Sequence, residues 1–234
     1  MENTYIALDL EMTGLSPKHD KIIEIGALKV EEGEIADKFS CFVNPAGKLE
    51  QRIVELTGIR DEDLARAPYI EEVLPSFLEF MGDLPLLGHR VLYDYSFLKK
   101  AAVDAKLSFE GKGIDTLRIA RRYLPELEHK SLPELCVYYG IPHHAHRAYE
   151  DAEATHFLYR KLGENFFREE EAELFAPTPL FYSVKRDTPA TKPQKERLYR
   201  LLEKHNITLD KDVEKLSRSE ASRITDKLLA QYGK

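Results

Sequence analysis

KIIEIGALKVEEGEIADKFSCFVNP, residues 21–45, reads as two strands joined by a turn at Glu32–Gly33. Alternation is clearest at Phe39, Cys41 and Val43, where apolar side chains recur at the two-residue period of a half-buried strand. Upstream, YIALDLE (5–11) is a third run of apolar and β-favouring residues, and it ends in acids. Three strands in succession predict a meander. Downstream, IEEVLPSFLEFMGD has helical apolar spacing at Val73, Leu74, Phe77, Leu78 and Met81, and LPLLGH reads as a short buried strand. YSFLKKAAVDAKL returns to helix, and GIDTLRIARRYLP runs from a brief strand into a helix ending at Pro125. SLPELCVYYGI is a short helix with Ser131 as N-cap and Gly140 at its end, and a last helix runs to about Leu162. Strands followed by alternating helix and strand predict an α/β fold, a mixed sheet with helices packed on its faces.

The 234 residues, 43% hydrophobic, suffice for one full core and an appendage. Cys41 and Cys136 form neither a disulfide framework nor a C-x-x-C site. The N-terminal MENTYIALDL lacks the pattern of a secretory leader, and no apolar run approaches the ~20 residues that span a bilayer. The expectation is a cytoplasmic protein with no membrane partner. Charge is uneven along the chain: residues 183–234 carry 13 Lys+Arg against 8 Asp+Glu, and residues 1–182 carry 21 against 33. Solvated helix faces explain this; so does an acidic catalytic body joined to a module that meets polyanions or a protein.

Asp9 and Glu11 lie two apart at the end of the first strand, so both side chains point to one face. Adjacent carboxylates must raise a pKa, bind a proton or bind a cation, unless the strand end reaches water. Asp94 follows a buried strand and opens a helix, as an N-cap or as a ligand. Asp151 is open to the same two readings. His146 stands five residues before Asp151; on a helix that is roughly 500° of rotation, so the two share no face there and His146 belongs on the loop entering the helix. In HHAH (143–146), His143 and His144 lack that spacing and no cysteine accompanies them, so neither a zinc site nor a catalytic role is expected of them. His89 is expected to be structural.

Three stretches then combine. LDLEMTGL (8–15), GHRVLYDYSFL (88–98) and HRAYEDAEAT (146–155), in that order, resemble the three motifs of the DnaQ-like DEDD 3′-to-5′ exonucleases, in the subgroup whose last motif carries histidine (DEDDh). The resemblance covers residues 4–163. VNPAGKLEQRIVELTGIRDEDLARAP and GIDTLRIARRYLPELEHKSLPEL are similar to connecting segments of the proofreading subunit of bacterial replicative polymerases, whereas DLEMTGLSP is closer to oligoribonuclease. Met12 stands where the first motif usually has Thr, and Arg90 where the second often has Asn.

The resemblance implies an RNase H-like fold and metal ligation by Asp9, Glu11, Asp94 and Asp151, with His146 as general base. It implies two divalent cations, Mg²⁺ or Mn²⁺, which suit an oxygen-only ligand set. It places the substrate's 3′ hydroxyl against the backbone near Met12 and Thr13. Leu15 and Phe97 either touch the terminal nucleotide or belong to the core. The expected reaction is release of nucleoside 5′-monophosphates from nucleic acid 3′ ends, with DNA placed ahead of RNA. Alternatives are RNA 3′-end trimming or degradation of short RNA, and an inactivated nucleic-acid-binding or polymerase-tethering module. The presence of all four acids and His146 counts against the last.

The expected organisation is an exonuclease domain over 1–163, an extended linker over 164–190 containing Pro177, Pro179 and Pro189, and a helical module over 191–234. In that module Thr191 and Ser217 are candidate N-caps. Leu198, Leu201, Leu202, Ile224, Leu228 and Leu229 form apolar faces that must bury against each other, the main domain or a partner such as a polymerase.

Overall fold

Tyr5–Met12 forms β1, and its alternation sorts the core into two sides. Ile6, Leu8 and Leu10 point into one apolar cluster, while Tyr5 and Ala7 point into another. β2 (Ile22–Glu31) and β3 (Glu34–Phe42) follow as the expected hairpin; Glu32 and Gly33 both take positive φ (53° and 88°), as a two-residue turn between twisted strands requires. The computed structural model describes residues 1–143, 146–184, 188–209 and 211–233. Within them the chain forms two compact units, Met1–Ser183 and Val184–Lys234.

In the first unit, α1 (Gln51–Thr57), α2 (Asp61–Leu64) and α3 (Ile70–Met81) lead to β4 (Leu86–Gly88), α4 (Val91–Asp104), β5 (Gly111–Asp115), α5 (Thr116–Tyr123), α6 (Leu132–Tyr139) and α7 (Ala148–Phe166). β6 (Thr178–Leu180) completes a six-stranded sheet in the order β3-β2-β1-β4-β5-β6. The first three strands are antiparallel, β1, β4 and β5 run parallel, and β6 returns antiparallel. The sheet is therefore mixed. α3 and α4 cover one face through Leu74, Phe77 and Leu98; α5, α6 and α7 cover the other through Ile119, Leu135 and Leu158. Asp9 and Glu11 continue the Tyr5–Ala7 face, the one against which α7 packs.

Two features depart from the sequence reading. α1 and α2 were not anticipated; they bury Ile53 and Leu64, with Ile59 between them, against Ile23, and such short helices take their stability from that burial rather than from periodicity. Residues 164–183, expected as the start of an extended linker, are built into the first unit. α7 runs to Phe166, a 3₁₀ segment (Glu169–Phe175) seats Phe175 fully in the core, and β6 pairs with β5. Pro179 fits there because β6 is an edge strand with a free N–H side. Residues 185–187 of the expected linker lie outside the described residues.

In the second unit, α8 (Lys192–His205) and α9 (Arg218–Tyr232) enclose a core of their own, including Leu198, Leu201, Leu202 and Leu228. Thr191 and Ser217 are the N-caps, and Ser217 accepts the Glu220 amide at 3.2 Å. Both cysteines are free, and among the described residues no helix is long and apolar enough to cross a membrane.

Candidate active site

β1 carries Asp9 and Glu11 to the middle of the sheet's edge, and α7 brings Asp151 to meet them. Ligand oxygens of these three residues lie within 4.8 Å of one another. Asp94 comes from α4. It is not the cap of that helix: Arg90 is, and Asp94 lies in the first turn with 4% of its surface exposed. Its charge reaches the cluster all the same. Burial, and then the charges of Asp94, Asp151, Glu11 and Glu24, push the Asp9 carboxyl well above the usual carboxylate range. Burial and neighbouring acids lift Glu11 to about 8. Asp94 also rises to about 8 through burial, against the pull of backbone hydrogen bonds at Asp94 and Leu10.

Carboxyls so perturbed are held either by protons or by a cation. Arg147 opposes the effect at Glu11 and Arg90 opposes it at Asp94, each only in part. The donor set contains oxygen alone, converges within one ion's reach, and carries excess negative charge. It fits a hard divalent cation rather than zinc.

The histidines are arranged differently from what their spacing suggests. His146 lies on the loop before α7 with φ 71°, and its backbone N–H donates to Asp151 Oδ2 at 2.9 Å. The imidazole that touches Asp151 is that of His143, whose Nε2 is hydrogen-bonded to Oδ1 and whose side chain is 6% exposed. His143 was expected to stand aside. Residue spacing constrains faces only along a helix, and here a loop with a left-handed residue turns the chain back on Asp151. His144 lies outside the described residues. His89 is structural, hydrogen-bonded to Thr116 Oγ1 and to the Lys130 carbonyl, each at 2.8 Å, and burial lowers its pKa.

Substrate-side residues divide. A register shift between Glu11 and Met12 ends regular pairing, and the Thr13 amide is already donated to the Lys21 carbonyl at 2.9 Å. Leu15 is 80% exposed, whereas Phe97 is 3% exposed and packs in the core with its ring edge-on to Tyr93. Of the two apolar candidates, Leu15 is the exposed one. It lines an open cleft of about 460 Å³ with Arg90, Tyr93 and Arg121.

Glu24 was missed. It stands opposite Glu11 on β2, its side chain only 2% exposed, and it clamps the start of α7: it accepts from Arg147 Nη2 at 3.0 Å and from the Ala148 amide at 3.2 Å. Gly26, next on the same face, leaves no room between β2 and the helix, since a Cβ there would lie 2.1 Å from backbone atoms of Ala148 and Tyr149. The only available signal was an acid inside the apolar run IIEIG. Gly26→Ala should therefore destabilise the fold by about 1–3 kcal/mol through overpacking and displace the helix start that carries Asp151. Urea unfolding together with kcat tests this; wild-type values for both would mean that the contact is not tight.

A mixed sheet flanked by helices, with buried acids gathered at the end of a central strand, is the layout of an RNase H-like nuclease. The comparisons go further. A family model described as Exonuclease (RNase_T) matches residues 6–159. A DNA polymerase III PolC-type protein of Clostridium perfringens is 39% identical over 168 residues, 70% of this chain but 12% of that protein, so the chain spans about an eighth of its length. Among solved structures, Exonuclease X in complex with 5′ overhanging duplex DNA superposes with a TM-score of 0.57 at 23% identity, covering 74% of this chain and 99% of that one. The nuclease domain of 3′hExo, a DEDDh family member bound to rAMP, gives 0.59 at 20% identity over 70% and 92%. At these identities the two structures speak to the fold. The chain belongs to the exonuclease family described by that model.

Proposed function

We propose that this exonuclease removes nucleoside 5′-monophosphates one at a time from the 3′ end of single-stranded or frayed DNA, with Mg²⁺ or Mn²⁺ as the cofactor. The reading rests on the convergence of Asp9, Glu11 and Asp151 within 4.8 Å beside the charge of Asp94. DNA is placed ahead of RNA because the sequence relative is a DNA polymerase. RNA remains the second reading because of the first motif, DLEMTGL.

Asp9, Glu11, Asp94 and Asp151 would hold the cations, which when bound neutralise phosphate charge and favour ionisation of a water. His146 takes the proton of the attacking water on an imidazole nitrogen. The water oxygen bonds to phosphorus, the bond from phosphorus to the upstream 3′ oxygen breaks, and that oxygen recovers a proton from solvent. Leu15 packs against a base near the end of the strand. Val184–Lys234 is proposed as the docking element for a polymerase or for the strand.

Side-by-side digestion of 3′-labelled single-stranded DNA, duplex DNA with a frayed end and short RNA tests the substrate. DNA ends should be shortened fastest, chelator should stop the reaction reversibly, and a 3′-phosphate or a closed circle should resist. Preferential loss of RNA would favour the second reading, and efficient cutting of circular single-stranded DNA would make the protein an endonuclease.

A further inference from the structure

Arg90, immediately before α4, holds a left-handed backbone, φ 72° and ψ 42°. A non-glycine residue pays on the order of 1–2 kcal/mol for this conformation, and asparagine, aspartate and histidine tolerate it best. The Arg90 side chain makes no capping hydrogen bond here. The conformation is imposed from outside. Its N–H donates to Asp115 Oδ1 at 3.0 Å, and that carboxylate is itself fixed as the N-cap of α5, accepting the Leu117 amide at 2.9 Å.

Held this way, the Arg90 guanidinium lies over the Tyr93 ring, 5.7 Å from its centroid. The Tyr93 hydroxyl in turn donates to the Gly14 carbonyl at 3.2 Å, which ties the ring to the loop that presents Leu15. Arg90, Tyr93, Leu15 and Arg121 thus line the one cleft of about 460 Å³. Its volume falls in the range of small-molecule sites. Beside the Asp115 carboxylate, which is engaged by the Arg90 and Leu117 amides, it offers two guanidiniums for phosphate, and an aromatic ring and an exposed aliphatic side chain for a base, the combination that binds single strands. The Arg90 charge lowers the pKa of the Asp94 carboxyl, so this wall of the cleft lies close to Asp94.

We propose that this cleft is a subsite for a nucleotide upstream of the scissile bond, with Arg90 and Arg121 on its phosphate and Tyr93 and Leu15 against its base. It rests on the 3′-exonuclease reading and extends it: the strained arginine sets how firmly a single strand is gripped.

The test is Arg90→Asn, a residue that suits the left-handed backbone. On a twelve-nucleotide single-stranded DNA with Mg²⁺, KM should rise about tenfold with a smaller change in kcat. Strand affinity, read by fluorescence anisotropy with Ca²⁺ in place of Mg²⁺, should lose roughly 0.7 from the slope of log Kd against log salt, the share of one single-strand phosphate contact. Thermal stability should hold or rise, because the backbone strain is relieved. An unchanged KM and salt slope would overturn the subsite. So would a fall in kcat or in melting temperature with KM and salt slope unchanged, which would make Arg90 a structural cap. Arg121→Gln gives the independent second variant and should also raise KM. Failure of the underlying reading shows elsewhere, in wild-type protein that releases no mononucleotide from any 3′ end.

Discussion

Asp9→Asn should lower turnover at least about 10³-fold, because several kcal/mol of transition-state charge stabilisation is lost when the acid at the centre of the cluster no longer holds its share of the cations. The same change should stabilise the metal-free protein. Asp9 is the carboxyl on which the charges of Asp94, Asp151, Glu11 and Glu24 all bear, and asparagine removes that repulsion. The pH dependence follows with a definite sign. Glu11 and Asp94 keep their protons in the folded state up to about 8, whereas unfolded carboxyls release them near 4. Between those values the folded state binds more protons than the unfolded chain, so metal-free stability falls as pH rises. The slope is roughly 1.4 kcal/mol per pH unit for each proton so held, and it vanishes below and above the window. Divalent cation replaces those protons and should flatten the slope. Melting curves from pH 4 to 9, with and without Mg²⁺, for wild type and Asp9→Asn, read all of this. A metal-free wild type whose stability climbs with pH, or an Asp9→Asn protein that still turns over, would remove Asp9 from the site.

Where the chain is regular, its sequence was legible. The hairpin at Glu32–Gly33 and the shared face of Asp9 and Glu11 follow from a two-residue period, which tertiary packing does not alter. The helix over Ile70–Met81 follows from apolar spacing, and the helices read over 95–107 and up to about Leu162 are observed, with shifted ends, over Val91–Asp104 and Ala148–Phe166. What stayed hidden depends on contacts between distant segments. Glu24 and Arg147 are far apart in sequence, and an acid in a strand says nothing of the helix end it will meet. β6 is three residues long with a proline at its centre, too short to carry a period. Arg90 as a left-handed cap depends on Asp115 from another strand, so the motif that placed Asp94 as a ligand or a cap could not decide between them. That Leu15 is exposed and Phe97 buried depends on packing between distant segments.

The two histidines near Asp151 separate by experiment because they touch it differently. His146→Ala should lower single-turnover rates by roughly 10²–10⁴-fold, the range for a lost general base, and leave cation affinity nearly intact, since no carboxyl is removed. Its backbone N–H, which holds Asp151 Oδ2 at 2.9 Å, survives the substitution. Loss of rate therefore reports on the imidazole and not on the placement of Asp151. His143→Ala removes a side chain hydrogen-bonded to the other oxygen of that carboxylate. Its effect should fall on Asp151 as a ligand: weaker apparent affinity for Mg²⁺, with the rate recovering as the cation is raised. Single-turnover rates measured at several Mg²⁺ concentrations distinguish the two. If His143→Ala instead lowers the rate as far and excess cation does not restore it, the base is His143, and the histidine whose ring already lies on Asp151 takes the role assigned to His146.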